Sequence, residues 1–122
     1  SDTVEYTKYF YVRPTDLEYP ENQAKENIKA ILEKYKSVYN PNDTQEEWFG
    51  RIREMSEELG YAKAPKFYKK DPDSFKGHVG DVSTILRIAV TGRRNTPDLH
   101  QILAVLGEAE VQNRLDAAIA AL

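Results

Sequence analysis

The sequence predicts an all-α fold, a compact bundle or cage of about five to six short helices. Three observations carry that reading. Apolar residues recur at spacings of three and four along most of the chain, helix-start and helix-stop residues punctuate those stretches, and strand-like alternation is absent throughout. With 122 residues, 40% of them apolar, and eight Tyr, four Phe and one Trp, the chain has material for one domain with a single modest core.

Residues 3–12 are aromatic-rich (Tyr6, Tyr9, Phe10, Tyr11) and read as a short helix or an extended segment. From about residue 21 to residue 38, Ala24, Ile28, Ile31, Leu32 and Tyr35 share one helical face. Residues 1–40 are therefore expected to form a linker or subdomain helix pair ahead of a core at 44–122. Asn40-Pro41-Asn42-Asp43 is a turn. Thr44-Gln45-Glu46-Glu47 reads as a capping box, in which the Thr hydroxyl and the Glu47 carboxylate each accept a backbone N–H that the helix leaves unpaired. Trp48, Ile52, Met55 and Leu59 form its buried stripe, and Gly60 stands where a left-handed residue ends the helix.

Residues 61–78 hold two prolines and no sustained period, which predicts an irregular loop pinned by Phe67, Tyr68 and Phe75. The next helix runs from about 79 to 90 with Val82, Ile85, Leu86, Ala89 and Val90 inward, and stops at Thr91-Gly92. Thr96 as cap and Pro97 at the first helical position open another, with Leu99, Ile102, Leu103 and Leu106 as its apolar face and Gly107 as its end. A last helix over about 108–122 buries Val111, Leu115, Ala118, Ile119 and Leu122.

Composition excludes much chemistry. Without cysteine there is no disulfide, thiol nucleophile or Cys-based zinc site. No apolar run approaches the roughly 20 residues of a membrane span. The start, Ser1-Asp2-Thr3-Val4-Glu5, has no basic-then-apolar signal segment, so a cytoplasmic location is expected, and without an initiator Met the chain is expected to be a processed or excised piece of something longer. His78 and His100, the two imidazoles, lack metal-ligand spacing: His78 reads as a loop or helix-start residue and His100 as a surface residue in a first helical turn. Gly77-His78-Val79-Gly80 lacks the strand and the Gly-Lys-Ser/Thr ending of a phosphate loop. Glu46/Glu47 and Glu57/Glu58 fall on helix faces that should be solvated. No catalytic residue, no metal site and no cofactor is nominated.

The net charge of −3 hides an asymmetry. Residues 1–60 hold 8 Lys/Arg against 13 Asp/Glu, residues 61–94 hold 8 against 3, and residues 95–122 hold 1 against 4. The middle is basic. Within it, residues 86–99 place a helix end, a tight loop and a helix start together, with Arg87, Arg93 and Arg94 clustered beside Asn95-Thr96-Pro97. Guanidinium forks and helix-start amides suit phosphate oxygens and the edges of unstacked bases. A surface helix–turn–helix whose arginines merely complement the helix dipole explains the same residues equally well.

Phe75-Lys76-Gly77-His78-Val79-Gly80-Asp81-Val82, then Leu86-Arg87-Ile88-Ala89-Val90-Thr91-Gly92-Arg93-Arg94-Asn95-Thr96-Pro97-Asp98-Leu99 and Ile102-Leu103-Ala104-Val105-Leu106-Gly107 resemble the C-terminal end of the glutamyl-tRNA synthetases. Trp48-Phe49 and Met55-Ser56-Glu57-Glu58-Leu59-Gly60-Tyr61 are similar to that family's preceding helix, so the likeness covers residues 44–122. It implies a helical anticodon-binding cage, with Arg87, Thr96, Pro97 and Leu99 contacting anticodon bases and Arg93, Arg94 and Asn95 touching phosphate or sugar. The basic loop over 66–76 departs from compact members of the family.

The family's His-x-Gly-His and Lys-x-Ser-Lys catalytic signatures are absent from the chain, which places the adenylation site upstream in a parent protein. That parent is expected to join glutamate to tRNA-Glu, or to both tRNA-Glu and tRNA-Gln, using ATP and Mg2+, and to be monomeric. A reading from another class is a helical protein-docking domain whose basic loop recruits an acidic partner and has no RNA role.

Overall fold

The computed structural model describes residues 19–20, 23–93 and 98–122. Six α-helices account for most of them: α1 (Lys25–Val38), α2 (Gln45–Glu58), α3 (Pro65–Lys70), α4 (Val79–Thr91), α5 (Leu99–Leu106) and α6 (Glu108–Ala120). A 3-10 turn, Pro72–Ser74, follows α3. Among the described residues the only extended pairing is an isolated parallel bridge between Ala62 and His78. The aromatic stretch 3–12 lies outside the described residues.

Local signals set most boundaries. Asn42 N–H donates to Asn40 Oδ1 at 3.0 Å, closing the turn ahead of α2. The capping box forms as expected, with Glu47 N–H donating to Thr44 Oγ1 (3.2 Å) and Thr44 N–H to Glu47 Oε1 (3.0 Å). At the other end Gly60, at φ 91°, donates to Glu57 O while Tyr61 N–H reaches Ser56 O at 2.8 Å. That is the Schellman pattern, and it needs the left-handed backbone a glycine takes without strain.

Four expectations change. The first helix begins at Lys25, so Ala24 is its exposed N-cap and not part of its buried face. Residues 61–78 are less irregular than their lack of period suggests: each proline starts a helical turn, because its fixed φ suits a first helical position. The anchor of that segment is Tyr61, not Phe67. Tyr61 is 1% exposed and donates to Gln23 Oε1 at 2.5 Å, whereas Phe67 is 38% exposed. Burial pushes the Tyr61 phenol up to about 12. Finally, α5 is capped by Asp98, whose Oδ1 accepts from His100 N–H at 3.0 Å. Thr96 and Pro97, expected to open that helix, lie outside the described residues.

The core forms around α4, which packs on α1, α2 and α6 and buries nine of its 13 residues. Ile28, Ile31, Leu32 and Tyr35 approach it from α1, Trp48, Ile52 and Met55 from α2, and Val111, Leu115 and Ala118 from α6. Leu59, Ile119 and Leu122 are partly buried at its margin. Trp48 Nε1–H donates to the buried Tyr35 hydroxyl at 3.0 Å, tying α2 to α1.

One cation lies inside. Arg114 of α6 is 2% exposed, its Nη1 donating to Val90 O (2.8 Å) and its Nε to Glu110 Oε2 (2.8 Å). Val90 is in the last turn of α4, where carbonyls have no intrahelical partner and cations are favoured. Replacing Arg114 with Ala leaves that carbonyl without its donor and opens a cavity. Arg114→Ala is expected to cost about 3 kcal/mol in urea unfolding. Arg114→Lys, with one ammonium in place of a planar fork, should recover only part of this. A loss below about 1 kcal/mol for the Ala variant would show that the pairing is dispensable.

Candidate nucleic-acid interface

The expected site lies where α4 ends and α5 begins. Helix α4 starts on His78, whose Nδ1 accepts from Gly80 N–H at 2.9 Å while Asp81 Oδ2 accepts from His78 N–H at 2.9 Å. His78 is therefore a helix-start residue, and Gly77 to Gly80 form a helix cap with no phosphate loop. Only one side of α4 is open. Gly80 and Asp81, then Thr84 and Arg87 one turn apart, are half-exposed on it, and the helix's other faces are buried.

The end of α4 is tightly held. Thr91 Oγ1 donates to Arg87 O (2.7 Å) and accepts from Arg93 N–H (3.2 Å), while Gly92 takes φ 76° and returns its N–H to Ile88 O (2.8 Å). From below, Arg114 holds Val90 O. The chain leaves the helix along a defined path, with Arg93 exposed just past the turn.

The start of α5 is held by different groups. Asp98 Oδ2 accepts from Gln45 Nε2 (2.9 Å), and the His100 Nε2–H donates to Asp43 O (2.9 Å). The His100 ring also lies against Trp48, with centroids 5.7 Å apart. His100 is thus a half-buried strut between α5 and the turn before α2, not the surface residue its position implied. Asp43 is 8% exposed and accepts from Arg51 through both oxygens, at 2.7 and 3.0 Å. That guanidinium holds the Asp43 carboxyl below the usual carboxylate range.

Of the expected contact residues, Arg87 is half-buried on the open side of α4, one turn before Thr91, and Arg93 is exposed. Leu99 is 1% exposed and its side chain belongs to the core, so it offers the corner only its backbone at the start of α5. Arg94, Asn95, Thr96 and Pro97 lie outside the described residues. The ends on either side of them are fixed, one by Thr91 and Arg114, the other by Asp43, Gln45 and His100.

Residues 73–119, from the 3-10 turn through α6, match the family described as an anticodon binding domain. That stretch is 47 of the chain's 122 residues. Over 113 residues the chain is 47% identical to a glutamate–tRNA ligase of Acetivibrio thermocellus, a match covering 91% of this chain and 21% of the relative. It is 45% identical over 105 residues to the ligase of Sorangium cellulosum (86% and 18%) and 38% identical over 95 residues to that of Gloeobacter violaceus (78% and 15%). The chain thus spans about a fifth of the length of the first two of these curated glutamate–tRNA ligases. No solved structure matches it. The matched stretch includes the open side of α4, the held end at Thr91 and the start of α5. Among the described residues no three His, Cys, Asp or Glu are grouped so as to hold a metal ion, and no helix is long and apolar enough to cross a membrane.

The Asp43–Arg51 pair has a pH signature. A depressed carboxyl contributes stability in full above the ordinary carboxylate range and loses it as pH falls through the lowered value. The urea midpoint of the wild type should therefore drop on acidification from about pH 5 to about pH 3. Asp43→Asn, lower at neutral pH, should drop less over the same window. Parallel pH profiles for the two proteins would remove Asp43 from the account.

Proposed function

We propose that this chain reads the tRNA anticodon for a glutamate–tRNA ligase and performs no chemistry itself. The observation that supports this most is the domain match over residues 73–119, which covers both held helix ends and the corner between them. Relatives bearing the name glutamate–tRNA ligase point to tRNA-Glu as the RNA partner. Glutamate activation with ATP and Mg2+ then belongs to parts of such a ligase outside the stretch this chain matches.

In this reading Arg87 donates to an unpaired anticodon base, and Thr96 and Pro97 also contact anticodon bases. Leu99 serves by anchoring the corner in the core, and Arg93, Arg94 and Asn95 take phosphate or sugar oxygens. A base that can accept from Arg87 gains a hydrogen bond that a base presenting only donors there cannot make. Phosphate contacts add affinity without discrimination.

Arg87→Ala is expected to weaken binding of a tRNA-Glu anticodon stem-loop by roughly 1–3 kcal/mol and to reduce discrimination against altered anticodons. Calorimetric titration at fixed salt measures both. If Arg87→Ala binds cognate and altered loops as the wild type does, Arg87 has no part in reading.

A further inference from the structure

The anticodon corner uses one end of α4. At the helix's other end lies a second surface that the corner does not explain. Lys63, Lys66, Lys69, Lys70 and Lys76 surround α3 and the 3-10 turn, with Asp71 and Asp73 as the only acidic residues in that stretch. All five lysines are exposed, and among the described residues none of their ammonium groups forms an ion pair. Among them is Phe67, one of few exposed large apolar side chains, with Lys63 Nζ 5.6 Å and Lys66 Nζ 5.2 Å from its ring centroid. An acidic chain has thus gathered five exposed lysines within 14 residues, two of them beside an exposed aromatic ring.

This platform is continuous with the open side of α4. Tyr68 of α3 lies against His78, ring centroids 5.7 Å apart, and the His78 ring covers Gly80, where a Cβ would come within 2.5 Å of His78 Cε1. Gly80 begins the half-exposed stripe that runs through Thr84 to Arg87. The one acidic group on that stripe, Asp81, is engaged by His78 N–H. With a rise of about 1.5 Å per residue, the platform and the corner are roughly 20 Å apart along α4.

We propose that the α3 platform is a second RNA contact, which grips nucleotides adjoining the anticodon through phosphates on its lysines and a base stacked on Phe67. The inference rests on the anticodon reading of this chain and extends it. The chemistry favours RNA because a stacking ring beside several cations matches how proteins hold unpaired nucleotides without reading sequence. A base on Phe67 brings its own phosphate within reach of Lys63 and Lys66. The loss on removing this surface should thus be the same for cognate and altered anticodons.

The test uses the 122-residue chain, a tRNA-Glu anticodon stem-loop and a stem-loop with an altered anticodon, titrated over a range of salt. The triple variant Lys66→Gln, Lys69→Gln, Lys70→Gln should bind both hairpins about tenfold more weakly and flatten the slope of log affinity against log salt by about 2. Phe67→Ser should weaken both about fivefold or more with the slope unchanged. Arg87→Ala is the control that loses discrimination. The lysine and Phe67 side chains are exposed, and an unchanged thermal melt verifies folding of every variant. If the lysine and Phe67 variants bind with wild-type affinity and slope while Arg87→Ala weakens binding, the platform is overturned and the anticodon reading stands. If the wild type binds neither hairpin, both are overturned.

Discussion

A buried guanidinium holds together the part of this protein on which the rest depends. Arg114 is inaccessible to water, yet it spends its hydrogen bonds on Val90 O and Glu110. An unpaired buried cation would be severely destabilising, so α6 has essentially one position in which the group is satisfied. That position fixes the last turn of α4, and with it Thr91, Gly92 and the exit of the chain towards Arg93. An apolar residue at 114 could fill the space, but it could not specify where the carbonyl end of α4 must lie.

The opposite wall of the corner is set by a polar cluster of another kind. Asp43 joins two elements at once: its carboxylate accepts from Arg51 of α2 and its carbonyl accepts from His100 of α5. Gln45 adds a bond to the Asp98 cap, and Trp48 backs the imidazole while donating to Tyr35. The start of α5 is thereby coupled to α2, although these residues are more than fifty positions apart in the chain. A reading site on a loop needs rigid supports on both sides, since a binding geometry an ångström loose forfeits much of its selectivity. Here the end of α4 is tied to α6 through Arg114, and the start of α5 is tied to Asp43 and Gln45.

Charge follows the same division. The acidic first half and last helices supply the scaffold, and the basic middle provides both the arginines of the corner and the lysines around α3. An acidic protein can attract a polyanion when its cations share one surface, because screening limits each charge to about 8–10 Å. The net charge of the whole chain says little about the field at that surface.

The helices, their caps and their buried faces were legible along the chain because each depends on residues within four positions of one another. The Thr44 capping box, the Gly60 and Gly92 stops and the stripes of α2, α4 and α6 are all of this kind. The family resemblance was legible too, since it resides in contiguous residues around Arg87 and Gly92. What only the tertiary structure decided were polar pairings between distant residues: Arg114 with Val90, His100 with Asp43, Tyr61 with Gln23. Their chemistry carries no periodicity. A lone arginine or histidine on a helix looks the same in sequence whether it meets water or the carbonyl of another helix, and packing alone determines which.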